Sequence, residues 1–112
     1  MVRMAGRFEI FEGGDGQYYF RLRSADGAPI LASEGYATKQ GAQTGIVAVK
    51  RVSPYDERFV RKQTTRGHSF VLTAPNGEVV GHSEVYRSAA ARDDAVAAVR
   101  RTATGSVVID LT

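Results

Sequence analysis

The stretch Tyr18–Tyr36, YYFRLRSADGAPILASEGY, returns fifty positions later as His68–Tyr86, HSFVLTAPNGEVVGHSEVY. Under that displacement Phe20 falls on Phe70, Leu22 on Leu72, Gly27 on Gly77, Ser33-Glu34 on Ser83-Glu84 and Tyr36 on Tyr86; farther along, Val49 falls on Val99. One module has been duplicated in tandem. The matched residues are mostly apolar, turn-forming or structural types, so the repeat speaks to architecture and leaves function open.

Within the stretch, Tyr18, Phe20 and Leu22 alternate with Tyr19, Arg21 and Arg23, the period of a half-buried strand. Asp26-Gly27, and Asn76-Gly77 in the second copy, are hairpin signals. Pro29 to Ser33 reads as a third short strand, with Pro29 suited to a first position or an edge. Upstream, Arg7-Phe8-Glu9-Ile10-Phe11 is β-rich and leads into the Gly13-Gly14-Asp15-Gly16 turn. Downstream the period changes. Ala42, Ile46 and Val49 form the stripe of an amphipathic helix with Thr38 as N-cap. Gly41 and Gly45 each weaken that helix by about 1 kcal/mol relative to alanine, which predicts a close backbone approach to a neighbour. Ser53-Pro54-Tyr55-Asp56 ends the helix and marks the boundary.

The second copy repeats the plan: a strand from Phe59, a turn over Thr64 to Gly67, strands through Phe70 and Val79, and a helix capped by Ser88. Phe8 maps onto Phe59 at 51 positions, so one turn differs by a residue. The tail Val107-Val108-Ile109-Asp110-Leu111-Thr112 is too apolar to be left in water and is expected to be a docked strand, buried or at a dimer seam. The expected fold is α+β: two tandem β-β-β-α repeats, 7–53 and 58–104, with antiparallel sheets and one helix packed per repeat. A C-terminal strand at 105–112 docks or is swapped, all within one domain of 112 residues.

Each half is near the size at which a private core becomes marginal, so the halves are expected to share one, or to borrow one. With 43% apolar and 24% charged residues, the composition is that of a globular chain. No apolar run is long enough to span a bilayer, and Met1 to Gly6 lacks the apolar segment of a secretory signal; a cytoplasmic location is the expectation. The absence of cysteine excludes disulfides, a cysteine nucleophile and thiolate metal sites. Fifteen cations against twelve carboxylates, a net charge of +3, are compatible with a polyanion partner without specifying one.

The tandem frame of Phe-Glu-Ile-Phe, Asp-Gly-Gln-Tyr-Tyr-Phe-Arg-Leu, the Asp-Gly or Asn-Gly turn, Ser-Glu-x-Tyr, Gly-Ile-x-x-Val-Lys on the helix and a terminal Asp-Leu-Thr resembles the YegP-like family, DUF1508 or UPF0339, from Arg7 to Thr112. The resemblance implies an α+β fold of two strand-rich repeats, commonly with dimer formation, and brings no established activity or catalytic residue. Family helices often carry Asn-Gly before the Ile. Here the pairs are Thr44-Gly45 and Asp94-Ala95, which leaves close packing of the second helix unsupported.

Ser33, Glu34 and Tyr36, repeated as Ser83, Glu84 and Tyr86, are read as structural: local hydrogen bonds hold the strand-to-helix turn while the tyrosine anchors the helix start. A repeated ligand site is the other use of such residues. His82-Ser83-Glu84 offers base, nucleophile and acid in name, but neighbours in a strand point to opposite faces. His68 and His82 lack metal-ligand spacing, and His68, in phase with Phe70, is expected to be partly buried and hydrogen-bonded. The glycine-rich turn is not followed by a phosphate-loop helix. No enzyme, metal or cofactor is therefore expected. The better candidate is the face of Tyr19, Arg21 and Arg23, a stacking ring beside guanidinium groups as single-stranded nucleic acid requires; repeat two has Ser69, Val71 and Thr73 there. The sequence reading is a non-enzymatic binding or interaction domain, a homodimer with an unknown ligand, with nucleic-acid binding through Tyr19, Arg21 and Arg23 as the alternative.

Overall fold

A computed structural model describes residues 6–112; the leader-sequence reading rests mainly on residues outside this range. The first copy runs β1 (Arg7–Glu12), β2 (Tyr18–Arg23), β3 (Pro29–Ala32) and α1 (Lys39–Val52). A short 3-10 turn, Asp56–Arg58, leads to β4 (Phe59–Thr64), β5 (Gly67–Thr73), β6 (Val79–His82), α2 (Ala89–Thr102) and the tail strand β7 (Val107–Asp110). Local chemistry sets these elements where the sequence predicts them. Thr38 Oγ accepts from the Gly41 N–H and Ser88 Oγ from the Ala91 N–H, each at 3.0 Å, so both helices start on the expected caps. Gly27 and Gly77 occupy φ +90° and +88°, the left-handed geometry that their turns require.

All seven strands form one sheet, in the order β4-β5-β6-β3-β2-β1-β7. The two copies join where β3 pairs antiparallel with β6 through Ala32 and His82, residues fifty positions apart. The seam thus lies on a pseudo-two-fold axis, as if a symmetric dimer had been written into one chain. Every pairing is antiparallel except β1 with β7, which is parallel. The antiparallel sheets expected from sequence are joined into one mixed sheet, because the repeats pair edge to edge at the seam and β7 adds in parallel.

Both helices cover the same face, and a single hydrophobic cluster lies beneath them. Phe8, Ile10, Phe20, Leu22, Phe70 and Leu72 come from the sheet, and Ile46, Val49, Val96 and Val99 from the helices. The halves share this core as expected. α1 touches β6 and α2 touches β3, so each helix also seals the other copy. At Gly45 an added Cβ would lie 2.9 Å from Phe20 Cε2 and 2.8 Å from Tyr36 Cζ, which is the close approach anticipated for a helical glycine. Ala95 takes the equivalent place in α2 and is buried. Alanine is small enough there, so α2 packs closely without the glycine.

The tail departs from expectation. It docks on its own chain, but Val107, Val108, Ile109 and Leu111 stay 61%, 45%, 40% and 50% exposed. Backbone pairing with β1 holds β7 at the sheet margin, where α1 reaches it through the Lys39–Asp110 ion pair at 2.9 Å. Each helix is followed by a strand that returns to the sheet, β4 after the Asp56–Arg58 turn that follows α1 and β7 after α2. Among the described residues, no helix is long and apolar enough to cross a membrane.

Candidate functional site

The helix-free face carries the candidate residues Tyr19, Arg21 and Arg23, and the sheet brings three more beside them. The β1–β2 register sets Arg7 beside Arg23, Glu9 beside Arg21 and Phe11 beside Tyr19, and residues paired across strands share a face. Glu9 is the hub. Its carboxylate accepts from Nε of Arg21 at 2.6 Å, of Arg23 at 2.8 Å and of Arg7 at 3.0 Å. The arginine side chains leave the Glu9 side chain only 10% exposed. Hydrogen bonds from Arg21 and then Arg23 hold its carboxyl at about 2, below the usual 4.5, against the opposing effect of burial.

The aromatic part stands at the other end of these strands. Phe11 and Tyr19 stack with centroids 5.7 Å apart, and the Arg21 guanidinium lies 4.5 Å over the Phe11 ring. Tyr19 donates its hydroxyl proton to Asp15, which raises its pKa. Three guanidinium groups around one carboxylate leave a local excess of two positive charges. Alternation of Arg7, Glu9 and Phe11 along β1 was the sequence signal for the added residues, but the register that brings them to β2 was not readable. Repeat two builds no such cluster: Ser69, Val71 and Thr73 face Lys62 and Val60 of β4 or Val79 and His82 of β6.

The Ser-Glu-x-Tyr motif divides by residue. Ser33 Oγ accepts from the Phe20 N–H at 2.9 Å and donates to the Glu34 carbonyl at 2.8 Å; Ser83 repeats this with the Phe70 N–H at 2.9 Å and the Glu84 carbonyl at 2.7 Å. Tyr36 exchanges backbone bonds with Tyr18, and Tyr86 with His68. The Tyr36 ring stacks on Phe20 at 6.2 Å. Glu34, Tyr36, Gly41, Gly45, Glu78 and Val80 line a groove of about 630 Å³. The equivalents Glu84, Tyr86, Ala91, Ala95, Ala28 and Ile30 line one of about 780 Å³. Each groove lies between one copy's helix and the other copy's hairpin, an arrangement that follows from the seam. Burial first, and then neighbouring carboxylates, push both tyrosine hydroxyls up in pKa.

Ser83 is committed to backbone partners, and among the described residues no hydrogen bond joins it to His82. His68 differs from expectation: it is half-buried, but its buried Nδ1 has no hydrogen-bond partner among the described residues, because its phase in β5 points the ring to the apolar, helix-covered side. Among the described residues, no group of three or more potential metal ligands converges.

Residues 14–59 and 65–110 each match the family described as Domain of unknown function (DUF1508). The chain belongs to the DUF1508 family. Among curated relatives, the UPF0339 protein YegP of Yersinia pestis is 39% identical over 108 residues, covering 96% of either chain. YegP of Escherichia coli K12 is 37% identical over 110 residues, covering 97% of this chain and 100% of that one. The solution NMR structure of Escherichia coli YegP, titled a protein of unknown function, superposes with a TM-score of 0.92, covering 100% of this chain and 97% of that one at 37% identity. A UPF0339 protein from Shewanella oneidensis gives 0.91 at 34% identity, covering 97% and 93%. DUF1508 membership thus secures the tandem α+β fold, and the relatives' names assign no activity.

Proposed function

We propose that this chain is a non-enzymatic interaction domain that self-associates as a homodimer, using the β7 edge beside the helix-free sheet face. One observation carries the reading. Of the nine exposed large hydrophobic residues among those described, Val107, Val108, Ile109 and Leu111 lie within five positions of one sheet edge. Edge strands are ordinarily guarded by charge, proline or a covering element. β4, at the opposite edge, carries Arg61 and Lys62, whereas β7 carries only Asp110, already paired with Lys39 at 2.9 Å. Light scattering over a concentration series tests the reading. The wild-type mass should rise from the 12.1 kDa monomer toward twice that value, and Val107→Lys with Ile109→Lys should hold it at the monomer with unchanged circular dichroism. A wild type that stays monomeric at the highest attainable concentration refutes homodimerisation.

The cluster of Arg7, Arg21 and Arg23 with the Phe11–Tyr19 stack favours a second reading, single-stranded nucleic-acid binding on the same face. Fluorescence anisotropy with labelled single-stranded RNA should then show affinity falling steeply between about 50 and about 200 mM salt. Substituting Tyr19, Arg21 and Arg23 together should abolish it. Absence of binding at low salt, or binding indifferent to that triple substitution, removes the reading.

A further inference from the structure

The geometry points to one mode of self-association: two β7 strands pair antiparallel about a two-fold axis at Ile109, joining two seven-stranded sheets into one. The inference rests on the reading of β7 as a contact edge and adds its register, which backbone hydrogen-bond direction dictates.

Strand β7 runs parallel to β1 with Ile10 beside Asp110, and the Leu111 N–H donates to the Ile10 carbonyl at 2.8 Å. In a parallel ladder, alternate residues direct both backbone groups to the same neighbour. Val107, Ile109 and Leu111 therefore face β1, while Val108 and Asp110 point their N–H and C=O groups outward. An antiparallel partner must pair these outward residues with one another, since hydrogen-bonded pairs exchange both bonds. Three symmetric registers satisfy that condition.

Centring on Val108 requires Ser106 opposite Asp110, but the Ser106 N–H already donates to the Ala103 carbonyl at 3.2 Å. Centring on Asp110 sets two carboxylates opposite each other and requires Thr112, whose N–H donates to Asp110 Oδ1 at 2.9 Å. Centring on Ile109 pairs Val108 with Asp110 of the second copy, twice, and makes four hydrogen bonds from four outward residues whose backbone groups have no other partner among the described residues. The side chains agree. Val107 and Ile109 lie on the helix-free face, paired with Arg7 and Glu9, and Leu111 is in phase with them. In this register Val107 meets the second copy's Leu111 and Ile109 meets its own counterpart, so six exposed apolar side chains form one row. The contact resembles the internal β3–β6 seam, where the two copies within one chain already meet edge to edge about a pseudo-two-fold axis. Four residues of strand make a small interface, so the dimer should be weak and concentration-dependent.

The chain has no cysteine, so a single introduced thiol reports position cleanly. Residues opposite each other at a non-hydrogen-bonded antiparallel site lie about 4.5 Å apart at Cα, within disulfide reach. Ile109→Cys should therefore cross-link to dimer under mild oxidation. Val108→Cys should not, being roughly 9 Å from its counterpart, and Lys62→Cys on β4 serves as a control. As a second probe, Val108→Pro removes an N–H that β1 does not use, so thermal unfolding should be little changed while the dimer weakens at least about tenfold, two of its four hydrogen bonds being lost. If light scattering shows a dimer but Ile109→Cys fails to link, or Val108→Cys links as readily, the register is wrong while the self-association reading stands. A wild type monomeric throughout overturns both.

Discussion

Replacing Glu9 with Gln removes the one negative charge around which three arginines are arranged. The folded protein holds this carboxyl at about 2 where 4.5 is usual, a gap corresponding to roughly 3 kcal/mol at about 1.4 kcal/mol per decade. The cover is a single layer of arginine side chains that remain between 25% and 38% exposed, so solvent screening reduces the expected effect to about 1–2 kcal/mol. The sign follows from the depressed folded-state value. The carboxylate's stabilisation is complete above pH ~4.5 and is lost as the pH falls through ~2. Urea unfolding of wild type and Glu9→Gln at pH 7, 4 and 2.5 measures it. The variant should be less stable by about 1–2 kcal/mol at pH 7, and the gap should narrow between pH ~4.5 and ~2 as the wild-type carboxyl protonates. Equal stability at neutral pH, or a gap just as wide at the acid end, would show that the arginines do not depend on the Glu9 charge.

Gly45→Ala should lower stability by about 1 kcal/mol net, because overpacking against Tyr36 and Phe20 exceeds the gain in helix propensity. Gly41→Ala, whose added Cβ would meet Thr38 Oγ1 and Tyr36 Cδ1 at 3.3 Å, should cost less than Gly45→Ala; equal responses of the two glycines in thermal unfolding contradict the close-approach account. Ser33→Ala removes a buried hydroxyl that bonds two backbone groups, and a loss of about 1–2 kcal/mol is expected in urea titration. Ser83→Ala, at the more exposed counterpart, should lose less, and the reverse order would show that backbone bridging is not the role of these serines.

The difference between the two copies explains why one half of the helix-free face, and not both, gathers charge and aromatic rings. The fifty-residue repeat preserves what the shared core and turns require, including Phe20 and Phe70 inside and Gly27 and Gly77 at positive φ. It leaves the helix-free face unconstrained, since no helix packs there. Tyr19, Arg21 and Arg23 could diverge from Ser69, Val71 and Thr73 without disturbing the fold.

Sequence alone determined the elements and their order, because strand alternation, the helical stripe, the Thr38 and Ser88 caps and the glycine turns are local physics written within a few residues of each other. It also indicated that each copy, marginal in length for a core of its own, would share or borrow one; the structure shows that the two share it. Tertiary structure decided what depends on partners distant in the chain. Ala32 meeting His82 turns two sheets into one, and the β1–β2 register brings Arg7, Glu9 and Phe11 to the site that sequence had seen as three residues on one strand. The exposure of the tail could not be read from its composition either. Hydrophobicity predicts that Val107 to Leu111 will seek cover, but how much they find depends on where the helices lie. Beside β7 the contact given by α1 is the charged pair of Lys39 with Asp110, which leaves the apolar side chains 40–61% exposed.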